Sequence, residues 1–125
     1  MKKLEFQKPY KLSAVIQIIS EAIIQNGISN NLSYEYMNFY LYTKDDVKIA
    51  SEDTICYIES YPEIDDNDRE IYPNFVISER LEVFCSGNIL EDVISNLFHQ
   101  KNSPAIKEFV TALNYYFAND AFLKI

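Results

Sequence analysis

Apolar residues recur at three- and four-residue steps in three stretches of this chain. Leu12, Val15, Ile16, Ile19, Ala22 and Ile23 fall on one face, widened by Ile18 and Ile24, and predict a helix over residues 13–25. Asn26-Gly27 ends it, with Gly27 suited to the left-handed position beyond a helix, and Ser13 stands where a capping hydroxyl is wanted. Ile89, Leu90, Val93, Ile94, Leu97 and Phe98 mark a second helix, and Ile106, Phe109, Val110, Leu113, Tyr116 and Phe117 a third, separated by Asn102-Ser103-Pro104. Asn88 with Glu91 has the spacing of a capping box, and Ser103 with Pro104 suits a third helix start. His99 and Lys101 belong to the second helix's last turn, where positive charge is favoured, and Asn119-Asp120 marks the exit of the third. Tyr115 and Tyr116 point about 100° apart on a helix, one inward and one toward a rim.

Between the first and second helices the period changes. Residues 28–35 are loop-like, with side chains that compete for backbone hydrogen bonds. Phe39-Tyr40-Leu41-Tyr42 reads as a strand, Lys44-Asp45-Asp46 as a turn, and Val47-Lys48-Ile49 as a short return. Residues 54–61 form the strongest strand candidate, and Leu81 to Cys85 read as a further short strand or as the lead-in to the second helix. Glu63 to Glu70 lacks apolar periodicity and is expected to be an exposed acidic loop, whereas Tyr72 to Ile77 around Pro73 reads as extended. The expected fold is α+β: an N-terminal helix, a small mainly antiparallel sheet and two C-terminal helices, in a single domain spanning residues 1–125.

Charge narrows the class of partner. At 125 residues and 48% hydrophobic the chain can fill one core, but its net charge is −8. That balance argues against nucleic acid and anionic membrane as partners and favours a basic one. From Thr43 to Glu70 ten acids stand against three bases, leaving −7 in less than a quarter of the chain. The N-terminus has no apolar run of a signal peptide and no stretch reaches membrane-span length, so a cytoplasmic location is expected, with Cys56 and Cys85 as reduced core thiols.

No residue set for catalysis, cofactor or metal emerges, and the expectation is a protein that is not an enzyme. His99 is the lone histidine, and no cysteine-hydrolase signature surrounds either cysteine. Counted from Asp66 as a calcium loop, Ile71 stands where Gly is required and Ile77 where Glu is required. The two glycines give no phosphate-cradling loop, and the aromatic stretch from Phe39 to Tyr42 is followed by Asp45 and Asp46, not by the basic residues of a nucleic-acid platform.

The runs Ile89-Leu90-Glu91-Asp92-Val93-Ile94-Ser95-Asn96-Leu97-Phe98-His99-Gln100 and Ala112-Leu113-Asn114-Tyr115-Tyr116-Phe117-Ala118-Asn119-Asp120-Ala121-Phe122 resemble a family of small, acidic, uncharacterised bacterial proteins. In size, charge and lack of a catalytic set the chain also resembles immunity proteins of contact-dependent growth inhibition and related polymorphic toxin systems. That resemblance implies a cognate toxin domain as partner, a basic nuclease, neutralised by blocking its active-site or substrate cleft. Glu63, Asp65, Asp66, Asp68 and Glu70 are the expected contacts, with Tyr61 and Tyr72 as flanking anchors. Two alternatives stand beside it: a non-enzymatic adaptor or regulatory module using an apolar groove between helices and sheet, and an enzyme pairing a cysteine with His99.

Overall fold

The computed structural model describes residues 3–32 and 34–125. In chain order the elements are β1 (Pro9–Lys11), α1 (Leu12–Asn26), α2 (Tyr34–Met37), β2 (Tyr40–Thr43), β3 (Ile55–Glu59), β4 (Glu63–Ile64), β5 (Glu70–Ile71), α3 (Asn74–Ser78), β6 (Glu82–Ser86), α4 (Gly87–Gln100) and α5 (Ile106–Asn119). The architecture is α+β, with an N-terminal helix, a small antiparallel sheet and two C-terminal helices. The main sheet has the order β1-β3-β2-β6, and β4 pairs with β5 in a separate two-stranded ribbon.

Strand alternation gives the sheet two differently covered faces. Leu41, Cys56, Ile58 and Cys85 point toward α1, α4 and α5, whose apolar stripes fill the main core with Leu12, Ile16, Ile19, Leu90, Ile94, Leu97 and Leu113, each at most 1% exposed. Tyr42 points the other way, into a second small cluster with Val76 and Leu81, and Tyr40, Tyr57, Tyr72 and Phe75 pack around it. Tyr42 is fully buried and its hydroxyl donates to the Ser60 carbonyl at 2.7 Å, which satisfies the group that burial would otherwise strand. The register of β2 on β6 shifts between Leu41 and Tyr42, so that Leu41 opposes Cys85 and Tyr42 opposes Val83. Phe84 is the extra residue of this bulge.

Long-range backbone contacts fix the helix starts. The Leu12 N–H donates to Thr54 O at 2.8 Å and the Ser13 N–H to Glu52 O at 3.0 Å, so main-chain carbonyls before β3 satisfy the first turn of α1. The Ser13 side chain does not cap it; Lys11 occupies the cap position. Gly27 follows the helix at φ 93°, a conformation that glycine adopts without Cβ strain. The hydroxyl that caps α4 is Ser86, which accepts from the Ile89 N–H at 3.1 Å, rather than Asn88. At α5 the cap is Ala105, not Ser103; Glu108 accepts from the Ala105 N–H and is itself bound by Lys101 Nζ, both at 2.9 Å. Asp120 ends α5 in the left-handed conformation, its N–H donating to Tyr116 O at 2.8 Å.

Gly87 shows why β6 can run straight into α4. Its N–H donates to Phe39 O at 2.8 Å, and a Cβ there would meet Met37 O at 2.9 Å and Phe39 O at 3.0 Å. The chain segments pass too closely for any larger residue.

Several local expectations change. Val47-Lys48-Ile49 is not a strand: Ile49 is 82% exposed, and the loop is held by Asn114 of α5, which bonds both backbone groups of Ala50. Tyr72 to Ile77 is not extended beyond Pro73, because Asn74–Ser78 form a helical turn that sinks Val76 into the second cluster. Residues 34–37 form a helical turn that begins at the end of the expected loop over 28–35, and β1 is a strand that three residues beginning with Pro do not announce. The acidic segment contains the β4–β5 ribbon, whose Glu63 opposes Ile71 and whose Ile64 opposes Glu70.

Candidate functional site

The ribbon hangs between the end of β3 and the start of α3, and both attachments are anchored. At the β3 end, Glu59 is 5% exposed; it accepts from Gln7 Nε2 at 2.7 Å and from the Ser60 N–H at 2.9 Å. At the other end, Tyr72 packs against the tyrosine cluster and its hydroxyl donates to Glu70. That bond to a carboxylate raises the pKa of the Tyr72 hydroxyl, since it holds the proton in place.

The tip is closed by one of its own acids. Asp65 accepts from the N–H groups of Asn67 and Arg69 through one oxygen, at 2.8 and 2.9 Å, and meets Arg69 Nε at 3.2 Å through the other. The Asp65 N–H donates to Arg69 O at 3.0 Å, and Asp68 adopts φ 60° to complete the turn. These donors, led by the Arg69 amide, pull the Asp65 carboxyl below its ordinary pKa. Among the expected contact residues Asp65 therefore shapes the tip with its side chain and Asp68 with its backbone. Glu63, Asp66, Asp68 and Glu70 are exposed around it, and Tyr61 is 43% exposed beside the ribbon's first strand.

The acidic segment does not form a single patch. Tyr40 pairs with Glu59, so the ribbon springs from the end of the sheet where β2 begins. Asp45, Asp46, Glu52 and Asp53 lie in the connection between Thr43 and Ile55, at the opposite end of strands about 15 Å long. There Asp53 is 3.4 Å from Lys11 Nζ. The candidate surface is thus built on the ribbon's own four exposed acids.

Apolar residues complete it, and the sequence reading passed over them. Ile64 is 61% exposed, Ile71 50% and Ile77 61%. Two open grooves share Tyr72 in their linings: one of about 320 Å³ that also includes Tyr61, Glu63, Ile71, Pro73 and Asn74, the other of about 330 Å³ that also includes Ile77, Arg80, Leu81, Glu82 and Val83. The signal lay in the pairs Glu63-Ile64 and Glu70-Ile71, where isoleucine sits directly beside an acid at each end of an otherwise polar segment. An acid opposite an isoleucine in both pairs of the ribbon gives each of its faces a charge and a large apolar group.

The other candidate chemistry is not brought together. Cys85 precedes α4 and is buried, whereas His99 is exposed in that helix's last turn, about 20 Å away along the axis. Burial pushes the Cys56 thiol up to about 12 and the Cys85 thiol also upward, which opposes thiolate formation. Glu91, expected at a capping box, is 7% exposed and instead accepts from the Leu32 N–H at 2.8 Å, binding the connection after α1 to α4. Among the described residues no group of three metal-ligating side chains forms a metal site, and no helix is long and apolar enough to cross a membrane.

Residues 26–125 match the family model described as "Domain of unknown function (DUF7716)", from the last residue of α1 to the last residue of the chain. No curated protein and no solved structure matches.

Proposed function

We propose that this chain, which belongs to the DUF7716 family, is a non-catalytic immunity protein of the bacterial cytoplasm that binds and neutralises a cognate basic nuclease toxin domain. The observation that carries the reading is the β4–β5 ribbon. It holds Glu63, Asp66, Asp68 and Glu70 exposed around a tip fastened by Asp65, with Ile64 and Ile71 exposed between them. A nuclease cleft is lined with Lys and Arg for phosphate, so a rigid acidic projection is complementary to it and occludes the substrate path. Fixed carboxylates also steer the encounter, which makes association fast at low salt. Nucleic acid and membrane are not partners in this scheme, and neither cofactor nor metal is required.

The test is co-expression with the C-terminal domain of the large secreted protein that the scheme requires immediately upstream of this gene. Survival of cells with the native chain, and its loss when Glu63, Asp66, Asp68 and Glu70 are changed together to amides, is the expected result. Cell death in the presence of the native chain would overturn the immunity assignment. Survival with both chains, and an association rate indifferent to salt, would overturn the electrostatic contact. An adaptor or regulatory module using the same surface is the second reading, favoured by the two grooves beside Tyr72.

A further inference from the structure

Glu59 stands at the root of the ribbon, four residues before Glu63, and it is buried without a positive charge beside it. Its oxygens accept from the Gln7 side-chain amide at 2.7 Å and from the Ser60 N–H at 2.9 Å, both neutral donors. No Lys, Arg or His among the described residues pairs with it. Lys8, next to Gln7 in the chain, is instead 2.9 Å from Glu5 and lies over the Tyr10 ring. Taking a carboxylate out of water is costly, and neutral donors offset less of that cost than a cation does. We propose that Glu59 is a covered anchor for an arginine side chain of a basic partner protein, with Gln7 as the cover that the guanidinium displaces.

Three observations converge. The cover is an exposed side chain: Gln7 lies at the surface, and its N–H donates to Ile58 O at 2.9 Å. Rotation of the side chain uncovers the carboxylate while that backbone bond stays in place. The backbone of Gln7 is at φ 65°, in the left-handed region that residues other than Gly, Asn and Asp seldom occupy, and that conformation holds the amide over Glu59. Next, the register sets Tyr40 directly opposite Glu59 on β2, with its half-buried ring packed on the tyrosine cluster beneath the ribbon. Cross-strand partners share a face of the sheet, so a cation paired with Glu59 has an aromatic ring beside it. A planar guanidinium suits the carboxylate and the ring together better than an ammonium does. Finally, Glu59 lies at the foot of the segment that carries Glu63, Asp66, Asp68 and Glu70. Those exposed carboxylates attract a basic protein over distance but are each screened by water, whereas a desolvated pair at the root is a contact whose loss is costly.

This inference rests on the proposed function only in taking the partner to be a basic protein, and a small probe tests it without the toxin. Acetyl-arginine-methylamide, titrated into the isotope-labelled full-length chain at fixed ionic strength, should shift the NMR signals of the Glu59 carboxyl carbon and the Gln7 side-chain amide together and saturably. Tetramethylammonium, a cation without N–H donors, should shift neither. Gln7→Ala removes the cover and should tighten binding of the arginine derivative about threefold or more, the release of one competing hydrogen bond. Gln7→Arg supplies a guanidinium from within the chain and should abolish the shift at Glu59. It should also raise the urea midpoint, where an amide serving only as a structural clasp would give a fall. Gln7 is exposed, so neither variant disturbs the core. Shifts that are absent, or confined to Glu63, Asp66, Asp68 and Glu70, overturn the inference, as does equal binding by the native chain, Gln7→Ala and Gln7→Arg. If a toxin is neutralised equally by the native chain and by Gln7→Arg, the anchor is wrong and the immunity assignment stands. If the arginine derivative binds at Glu59 and no toxin is neutralised, the reverse holds.

Discussion

Asn114 grips the backbone of Ala50 from both sides: its Oδ1 accepts from the Ala50 N–H at 2.8 Å, and its Nδ2 donates to the Ala50 carbonyl at 2.9 Å. The pair joins the middle of α5 to the connection between β2 and β3, 64 residues away. Ala50 is 5% exposed, so water cannot readily replace either bond. Asn114→Ala is expected to destabilise the fold by about 1–3 kcal/mol, the cost of leaving a buried donor and acceptor unmet. Asn114→Asp keeps the acceptor for the N–H but loses the donor to the carbonyl and should fall between the two. Urea unfolding measures this series, and an Ala variant as stable as the native chain would show that the clasp contributes nothing.

Asp65 should control the order of the ribbon tip rather than the overall stability. Asp65→Ala removes the acceptor shared by the Asn67 and Arg69 amides. Hydrogen exchange at these two amides should accelerate while that of the β3 amides is unchanged. Because the Asp65 carboxyl lies below its ordinary pKa, the contribution to tip order is present above that value and lost as pH falls through the lowered one. Unchanged exchange at residues 67 and 69 would show that the turn closes without its carboxylate.

Glu91 has the opposite sign. Burial raises its carboxyl above the ordinary value, with the Leu32 N–H acting against that rise and Asp92 adding to it. The folded state therefore holds the proton more tightly than the unfolded chain. Its contribution to stability is greatest below the ordinary carboxylate pKa and declines as pH rises through the raised folded value. Glu91→Gln retains an oxygen for Leu32 and cannot ionise, so its stability relative to the native chain should be higher at pH 7 than at pH 4. Glu91→Ala strands the Leu32 N–H and should cost about 1–3 kcal/mol. A Gln variant whose difference from the native chain does not change with pH would remove ionisation from the account.

The two cysteines should be inert while the chain is folded. Both are buried, and burial disfavours the thiolate at each, Cys56 being pushed up to about 12. A thiol reagent at pH 8 should label neither in native buffer and both, with one rate, when denaturant unfolds the chain. Rapid labelling of Cys85 in native buffer would reopen a role for it in chemistry.

The long elements were legible because burial imposed a period on them. Leu12 to Ile23, Leu90 to Phe98 and Phe109 to Leu113 each supply one stripe to the same core, and the strands around Leu41, Ile58 and Cys85 alternate between its two faces. Short elements carry no such period. Two-residue strands at Glu63 and Glu70 and a five-residue helix at Asn74 exist because Asp65 ties the tip and Val76 finds the tyrosine cluster, contacts between residues whose spacing shows no pattern. Caps were misplaced for a related reason: Ser13, Asn88 and Ser103 have suitable side chains, but Thr54 and Glu52 carbonyls, Ser86 and Glu108 reach the orphan amides instead. The four exposed acids of the site were readable from composition. Its isoleucines were not, because an apolar residue in a polar segment does not itself say whether it is covered.

The second cluster, Tyr42 with Val76 and Leu81, is the ground on which the ribbon stands, and it lies on the face of the sheet away from the three long helices. Residues 66–68 are exposed, and the turn is closed by the Asp65 carboxylate and by the Asp68 backbone at φ 60°. Asp66, Ile64 and Ile71 lie exposed on the ribbon and can be exchanged for other side chains with little demand on the buried domain beneath them, whereas Asp68, at φ 60°, favours Gly, Asn or Asp.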